Sequence, residues 1–448
     1  MKTRIWILFS VFALIAAACG GGSTATTAGA TESPTTTATE SPTPTKASES
    51  SGTDTTSSAA PAEPTTIRYF TFSAAPDNLT VLDEMIAAFE AQNPDVKVEV
   101  ETAPFDDYFT LLQTQIAGGD APDTFELNFE NFVSFASKGT LADLGPLTAA
   151  DSGFDGGAYY QPAFDAFSVG GTQYGLPASY STVMLFYNKD LFDAAGVAYP
   201  TDTWTWSDER AAAEAIGATD ENVWGSFAGV QFWEFYKTAA QNGCSFFSGD
   251  QVTLNDAGCV DALQFMIDNV NSGLQPTSAD MGGVSDGDMF INGELGMITT
   301  GIWMFSAFED NDFGWDVVVE PGNTQGGSHF FANGVAVSAA SDKQEAAYRW
   351  LRFFTSSDES ARLRVGASWE LPTLTDSSLY DEYLAAESPA NRAAVLASLA
   401  NVVVPPVIER QAEMQDSLNS LIERALAGEM TVQEALDQAK AEVEALLN

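Results

Sequence analysis

Between Ile67 and Asn128 the hydrophobic pattern switches repeatedly between a period of two and a helical period, and that alternation restricts the fold more than any other feature. Ile67-Arg68-Tyr69-Phe70-Thr71-Phe72 is rich in strand formers and is followed by Pro76-Asp77-Asn78, good chemistry for a helix start. Leu82, Met85, Ile86 and Phe89 then recur at helical spacing until Asn93-Pro94 ends the helix. Val96, Val98 and Val100 alternate with charged residues as a second strand, and Tyr108, Leu111, Leu112 and Ile116 mark a second helix that stops at Gly118-Gly119. A third strand follows, with Phe125, Leu127 and Phe129 on one face and Glu126, Asn128 and Glu130 on the other. This order predicts an α/β fold with a mostly parallel sheet covered by helices on both faces.

The N-terminal end reads differently. Lys2 and Arg4 precede an apolar run from Ile5 to Ala18 that is shorter than the ~18 residues of a spanning helix, so residues 1–18 read as a secretory leader. Leu14-Ile15-Ala16-Ala17-Ala18-Cys19-Gly20 resembles a bacterial lipobox, which makes Cys19 the expected lipidated residue. Residues 20–65 are mostly Thr, Ser, Ala, Pro and Gly; with so little to bury, such a stretch is expected to be a disordered linker. With Cys19 lipidated, Cys244 and Cys259 remain as an expected disulfide pair in an oxidising, extracytoplasmic setting. A net charge of −44, from 62 acidic against 18 basic residues, argues against nucleic acid as a partner. The single histidine, His329, argues against a His-based metal site or catalytic centre. No cofactor or metal is expected.

One stretch carries more information than the rest. Phe290-Ile291-Asn292-Gly293-Glu294-Leu295-Gly296-Met297-Ile298-Thr299-Thr300-Gly301-Ile302-Trp303 reads as a helix end, a glycine turn, a short buried strand, and a turn bearing an indole at the strand's exit. This pattern resembles the signature of the family 1 extracellular solute-binding proteins of ABC importers, which include the maltose-binding proteins. Other segments resemble the family in the same order along the chain. They are Gly119-Asp120-Ala121-Pro122-Asp123, Gly139-Thr140-Leu141-Ala142-Asp143-Leu144, Tyr174-Gly175-Leu176-Pro177, Leu185-Phe186-Tyr187-Asn188-Lys189-Asp190-Leu191-Phe192 and Thr431-Val432-Gln433-Glu434-Ala435-Leu436.

The resemblance implies a two-lobed, type II periplasmic-binding-protein-like fold with a multi-segment hinge. Residues 66–178 and 332–366 would form the N-terminal lobe, and residues 179–331 and 367–448 the C-terminal lobe. By the same resemblance Trp303 and Trp233 stack on sugar rings, while Tyr180, Ser181, Asn128, Glu130, Phe72 and Ser73 lie at the cleft. Asn128 and Glu130 have the alternative reading of a helix cap or solvated loop, and Trp369 is either a third platform or a hinge packing residue. Trp204 and Trp206 read as packing residues. The implied function is binding without catalysis: a monomeric lipoprotein, anchored at the membrane surface, that hands a neutral sugar to an ABC permease. No cleft candidate is Arg or Lys, which disfavours anionic solutes. Carboxylates beside aromatics leave a polyamine open. A secreted glycoside hydrolase is the rival from another class, with Glu126, Glu130 and Glu370 as conceivable carboxylates, but no motif singles out a pair.

Overall fold

The structure is a computed structural model that describes residues 63–309 and 311–448. The leader, Cys19 and nearly all of the expected linker lie outside the described residues. Thr65, read from sequence as the last linker residue, already opens the first strand and donates its N–H to the Asp95 carbonyl at 2.8 Å.

Two sheets organise the chain. The larger contains β1 (Thr65–Thr71), β2 (Val96–Thr102), β3 (Thr124–Asn128) and β4 (Gly175–Ser181). The smaller contains β5 (Val183–Asn188), β6 (Met297–Gly301) and β7 (Trp315–Val318). β8 (Phe331–Val337) and β9 (Leu371–Pro372) then return to the larger sheet, giving the order β9-β4-β8-β3-β1-β2. The pairings of β1 with β2 and β3 are parallel, joined through α1 (Pro76–Gln92) and α2 (Phe105–Gly118) as the sequence alternation predicts. The pairings of β8 with β3 and β4, and of β9 with β4, are antiparallel, and so is the whole smaller sheet. The expectation of mostly parallel sheets is therefore corrected to mixed. Strands that re-enter from the other half of the molecule run against those already laid down, and such long-range returns leave no local pattern in the sequence.

Local chemistry accounts for most boundaries. Pro76 sits in the first turn of α1, where a missing N–H costs nothing, and Leu82, Met85 and Phe89 are its buried stripe. Gly119 ends α2 at φ 77°, a left-handed cap that glycine adopts without strain. In the C-terminal half, α4 (Phe232–Gln241) and α5 (Ala257–Asn271) pack with α6 (Gln411–Leu426) and α7 (Val432–Leu446) around Phe232, Phe235, Leu418 and Leu436. Thr431 and Glu434 form a reciprocal capping box at the start of α7, which is the physical content of the Thr-x-x-Glu motif. Cys244 and Cys259 are joined by a disulfide, their Cα atoms 5.4 Å apart, fastening the end of α4 to α5.

The passages between sheets set the cleft. β4 and β5 are separated only by Thr182, so the chain leaves the larger sheet there, and Ser179 to Ser181 belong to that sheet although the expected boundary was at 178. The second passage is pinned where Ser328 and His329 pair in parallel with Val402 and Val403. Leu371 and Pro372 pair with Tyr180 and Ser179, so the third passage follows them, later than the expected boundary at 366.

Candidate functional site

A cavity of about 740 Å³ opens where the ends of β1, β3, β4 and β8 face β6 and the start of α4. Its volume is in the range of sites for ligands larger than a single small ring. Eight of the nine residues expected at the cleft line it: Phe72, Ser73, Asn128, Glu130, Ser181, Trp233, Trp303 and Trp369. No Arg or Lys is among its lining residues.

The aromatic wall is built from three separate segments. Gly301 ends β6 and a 3₁₀ turn, Ile302–Met304, carries Trp303. A Cβ at position 301 would lie 2.0 Å from the Trp303 ring, so only glycine lets the indole fold back over the chain. Trp303 is 42 % exposed, a large apolar surface held in the open. Its ring centroid is 5.9 Å from that of Phe331, the first residue of β8, and Phe331 is 5.9 Å from Trp233 in the first turn of α4. Opposite them Phe72 packs edge-on against Phe105, centroids 5.3 Å apart, and Phe105 is 47 % exposed. Flat apolar faces at these positions suit the C–H faces of a pyranose.

The polar floor comes from the larger sheet. Asn128 ends β3 and caps α3 (Phe129–Ser137), its Oδ1 accepting from the Asn131 N–H at 3.3 Å and the Asn131 side-chain amide at 2.9 Å. The strand thus stops one residue before Phe129, and Glu130 stands in the first turn of a helix. The cap reading and the cleft reading of Asn128 both hold, since it makes the cap and lines the cavity. Glu130 is 1 % exposed, and neither carboxylate oxygen has a hydrogen-bond partner within the protein. Burial pushes its pKa up to about 8. Glu126, beside the cleft, is pushed up to about 7 by burial although it accepts from the Thr71 and Ser73 hydroxyls. Burial also raises Glu370, which accepts from Ser179 and from Asn333 Nδ2 at 3.2 Å and lies 3.7 Å from Arg364. A floor of carboxyls and amides, with hydroxyls around them, can both donate to and accept from sugar hydroxyls.

A family model described as bacterial extracellular solute-binding protein matches residues 75–361. The chain belongs to that family. A Listeria monocytogenes ABC substrate-binding protein, solved in complex with cycloalternan, is 46 % identical, with 86 % of this chain and 99 % of that chain covered and a TM-score of 0.83. The galactooligosaccharide-binding protein of Bacillus subtilis is 24 % identical over 372 residues, 80 % of this chain and 84 % of its own. A lipoprotein of Streptomyces antibioticus is 28 % identical over 351 residues, 71 % of this chain and 73 % of its own. The family and the two-lobed type II fold expected from the sequence are thus both correct. The family is one of solute-binding proteins rather than enzymes, so the carboxyls of the cleft have no hydrolytic role to fill.

One residue assignment changes, and one open alternative narrows. Tyr180 does not line the cavity, because side chains alternate along β4: Ser179 and Ser181 face the cleft side and Tyr180 the other. Its ring stacks on Tyr160, centroids 4.9 Å apart, and its hydroxyl meets that of Tyr380 at 2.6 Å. Trp369 reaches the cavity but is 6 % exposed, with the Arg364 guanidinium 4.7 Å over its ring, so packing accounts for most of its surface. Sequence reading missed Phe105, Phe331, Asn333, Glu234 and His329, which also line the cavity. Asn333 was accessible by strand alternation from Phe331, two residues earlier on β8; Phe105 carried no motif.

Proposed function

We propose that this protein captures a neutral oligosaccharide in the cleft, closes over it, and delivers it to the membrane subunits of an ABC importer, acting as a monomer tethered outside the cytoplasm through lipidated Cys19. The observation that carries the reading is the pairing of exposed aromatic faces, Trp303 above all, with a floor of buried carboxyls and amides free of any lining cation. Rings stack on the sugar's apolar faces while its hydroxyls take the polar floor. The cycloalternan complex of the 46 % identical relative makes that compound the first ligand to test. Closure follows from the ligand bridging two halves that meet it together only when shut.

A thermal-shift panel tests this. Cycloalternan, linear α- and β-linked oligosaccharides, monosaccharides, polyamines and amino acids are compared, each in large excess. A ligand that binds only the folded state adds about 2.7 kcal/mol at a hundredfold excess over its Kd. Oligosaccharides are expected to raise the midpoint and polyamines to leave it unchanged. The acidic lining (Glu130, Glu234, Asp286, Glu370) favours the polyamine as second reading, and a shift with polyamines alone would adopt it.

A further inference from the structure

His329, the chain's single histidine, is buried behind the aromatic wall and meets four groups at once. Its Nε2 lies 2.8 Å from the Trp233 carbonyl oxygen; a carbonyl only accepts, so Nε2 donates. Its ring stacks on Phe331, centroids 5.2 Å apart and planes within 18°, and meets Tyr236 edge-on at 5.4 Å. Its Nδ1 is 3.4 Å from Glu320 Oε1. Glu320 is in turn bound 2.6 Å from Lys237 Nζ, which also pairs with Glu234. The backbone under the ring is fixed by the pairing of Ser328 and His329 with Val402 and Val403.

We infer that His329 is a positioning residue for the sugar-stacking wall, setting Trp233 through its carbonyl and Trp303 through Phe331. Three separate segments supply that wall, α4, the turn after β6 and the start of β8, and hydrogen bonds of regular structure do not join them. Phe331 touches both indoles, and His329 is the group on which Phe331 stacks. Behind the imidazole stands the buried ion pair of Glu320 and Lys237, where truncating one member leaves the other unpaired. The inference rests on the oligosaccharide reading for its effect on binding, but the placement of the indoles can be read without any ligand.

The test uses the whole protein with His329→Gln, which keeps a donor near the Nε2 position, and His329→Leu, which keeps bulk without the donor. Indole N–H resonances of Trp233 and Trp303, assigned with Trp233→Phe and Trp303→Phe, are recorded without ligand, and cycloalternan is titrated calorimetrically. His329→Leu is expected to move both resonances and weaken binding about tenfold or more, as loss of a buried donor does. His329→Gln is expected to restore most of the affinity, and both variants to fold. Unmoved resonances and unchanged affinity in His329→Leu would overturn the inference, as would a Gln variant no better than Leu with an equally lowered unfolding midpoint. If the wild type binds no sugar, the oligosaccharide reading fails, and the indole resonances alone decide the positioning role.

Discussion

Glu130 and Glu320 are almost equally buried, 1 % and 4 % exposed, yet their surroundings treat the carboxylate in opposite ways. Around Glu130 burial is unopposed by any side-chain partner, and the carboxyl is pushed up to about 8. Around Glu320 burial works in the same direction, but the Lys237 ammonium and the His329 ring outweigh it and hold the group below its ordinary range. The difference separates two uses of a buried acid. Glu320 has a cation inside the protein, Lys237 at 2.6 Å, and serves the architecture behind the wall. Glu130 faces the cavity with its hydrogen-bonding capacity unspent, the arrangement expected of a group whose partner is a ligand.

That contrast can be broken at several points. Lys237→Met removes the cation shared by Glu234 and Glu320, and chemical denaturation is expected to show a loss of about 3–5 kcal/mol, the cost of leaving buried charge unpaired. A loss under about 1 kcal/mol would mean the cluster is not the brace described. Reducing Cys244–Cys259, or replacing both by Ala, is expected to cost about 3 kcal/mol for a loop of this length, since the bridge spans 15 positions.

The acid in the cleft responds to pH with the other sign. The folded-state pKa of Glu130 is raised to about 8 from its ordinary 4.5. The stability contributed by its proton is complete below about pH 4.5 and is lost as pH rises through about 8. Glu130→Gln should therefore flatten ligand-free stability across that window and gain about 4–5 kcal/mol at its upper end. A residual slope remains from Glu126, raised to about 7. An unchanged slope in the Gln variant would show that Glu130 does not hold its proton in the folded state.

Smaller effects sharpen the picture of the wall. Gly301→Ala forces the Trp303 indole off its seat and is expected to weaken oligosaccharide binding about tenfold in a calorimetric titration. Tyr180→Phe removes the bond to Tyr380 on the far side of β4; a stability loss of about 1 kcal/mol with unchanged affinity is expected. A fall in affinity would restore Tyr180 to the cleft.

Much of the fold was legible because local periods carry it. The alternation from Ile67 to Asn128 predicts β1 to β3 with their helices, and the Thr431–Glu434 box marks the last helix. The antiparallel returns of β8 and β9 were not legible, since they join residues more than a hundred positions apart and nothing local specifies direction. At the cleft, Trp303 could be read from Gly301 and the strand before it. His329 could not. Its role depends on Trp233, Phe331 and Glu320 meeting in space, and a lone histidine in the sequence argues only against a metal site. Tyr180 failed for a simpler reason, the two-residue period of the strand that carries it.

The most direct test of the central claim is calorimetric titration of the wild-type protein and Trp303→Ala with cycloalternan. Saturable one-to-one binding in the wild type is predicted, weakened about thirtyfold or more in the variant, as for truncation of an aromatic anchor, with its ligand-free unfolding midpoint nearly unchanged because the indole is 42 % exposed. Equal affinity in both proteins, or no heat from any oligosaccharide alongside saturable binding of a polyamine, would contradict the account.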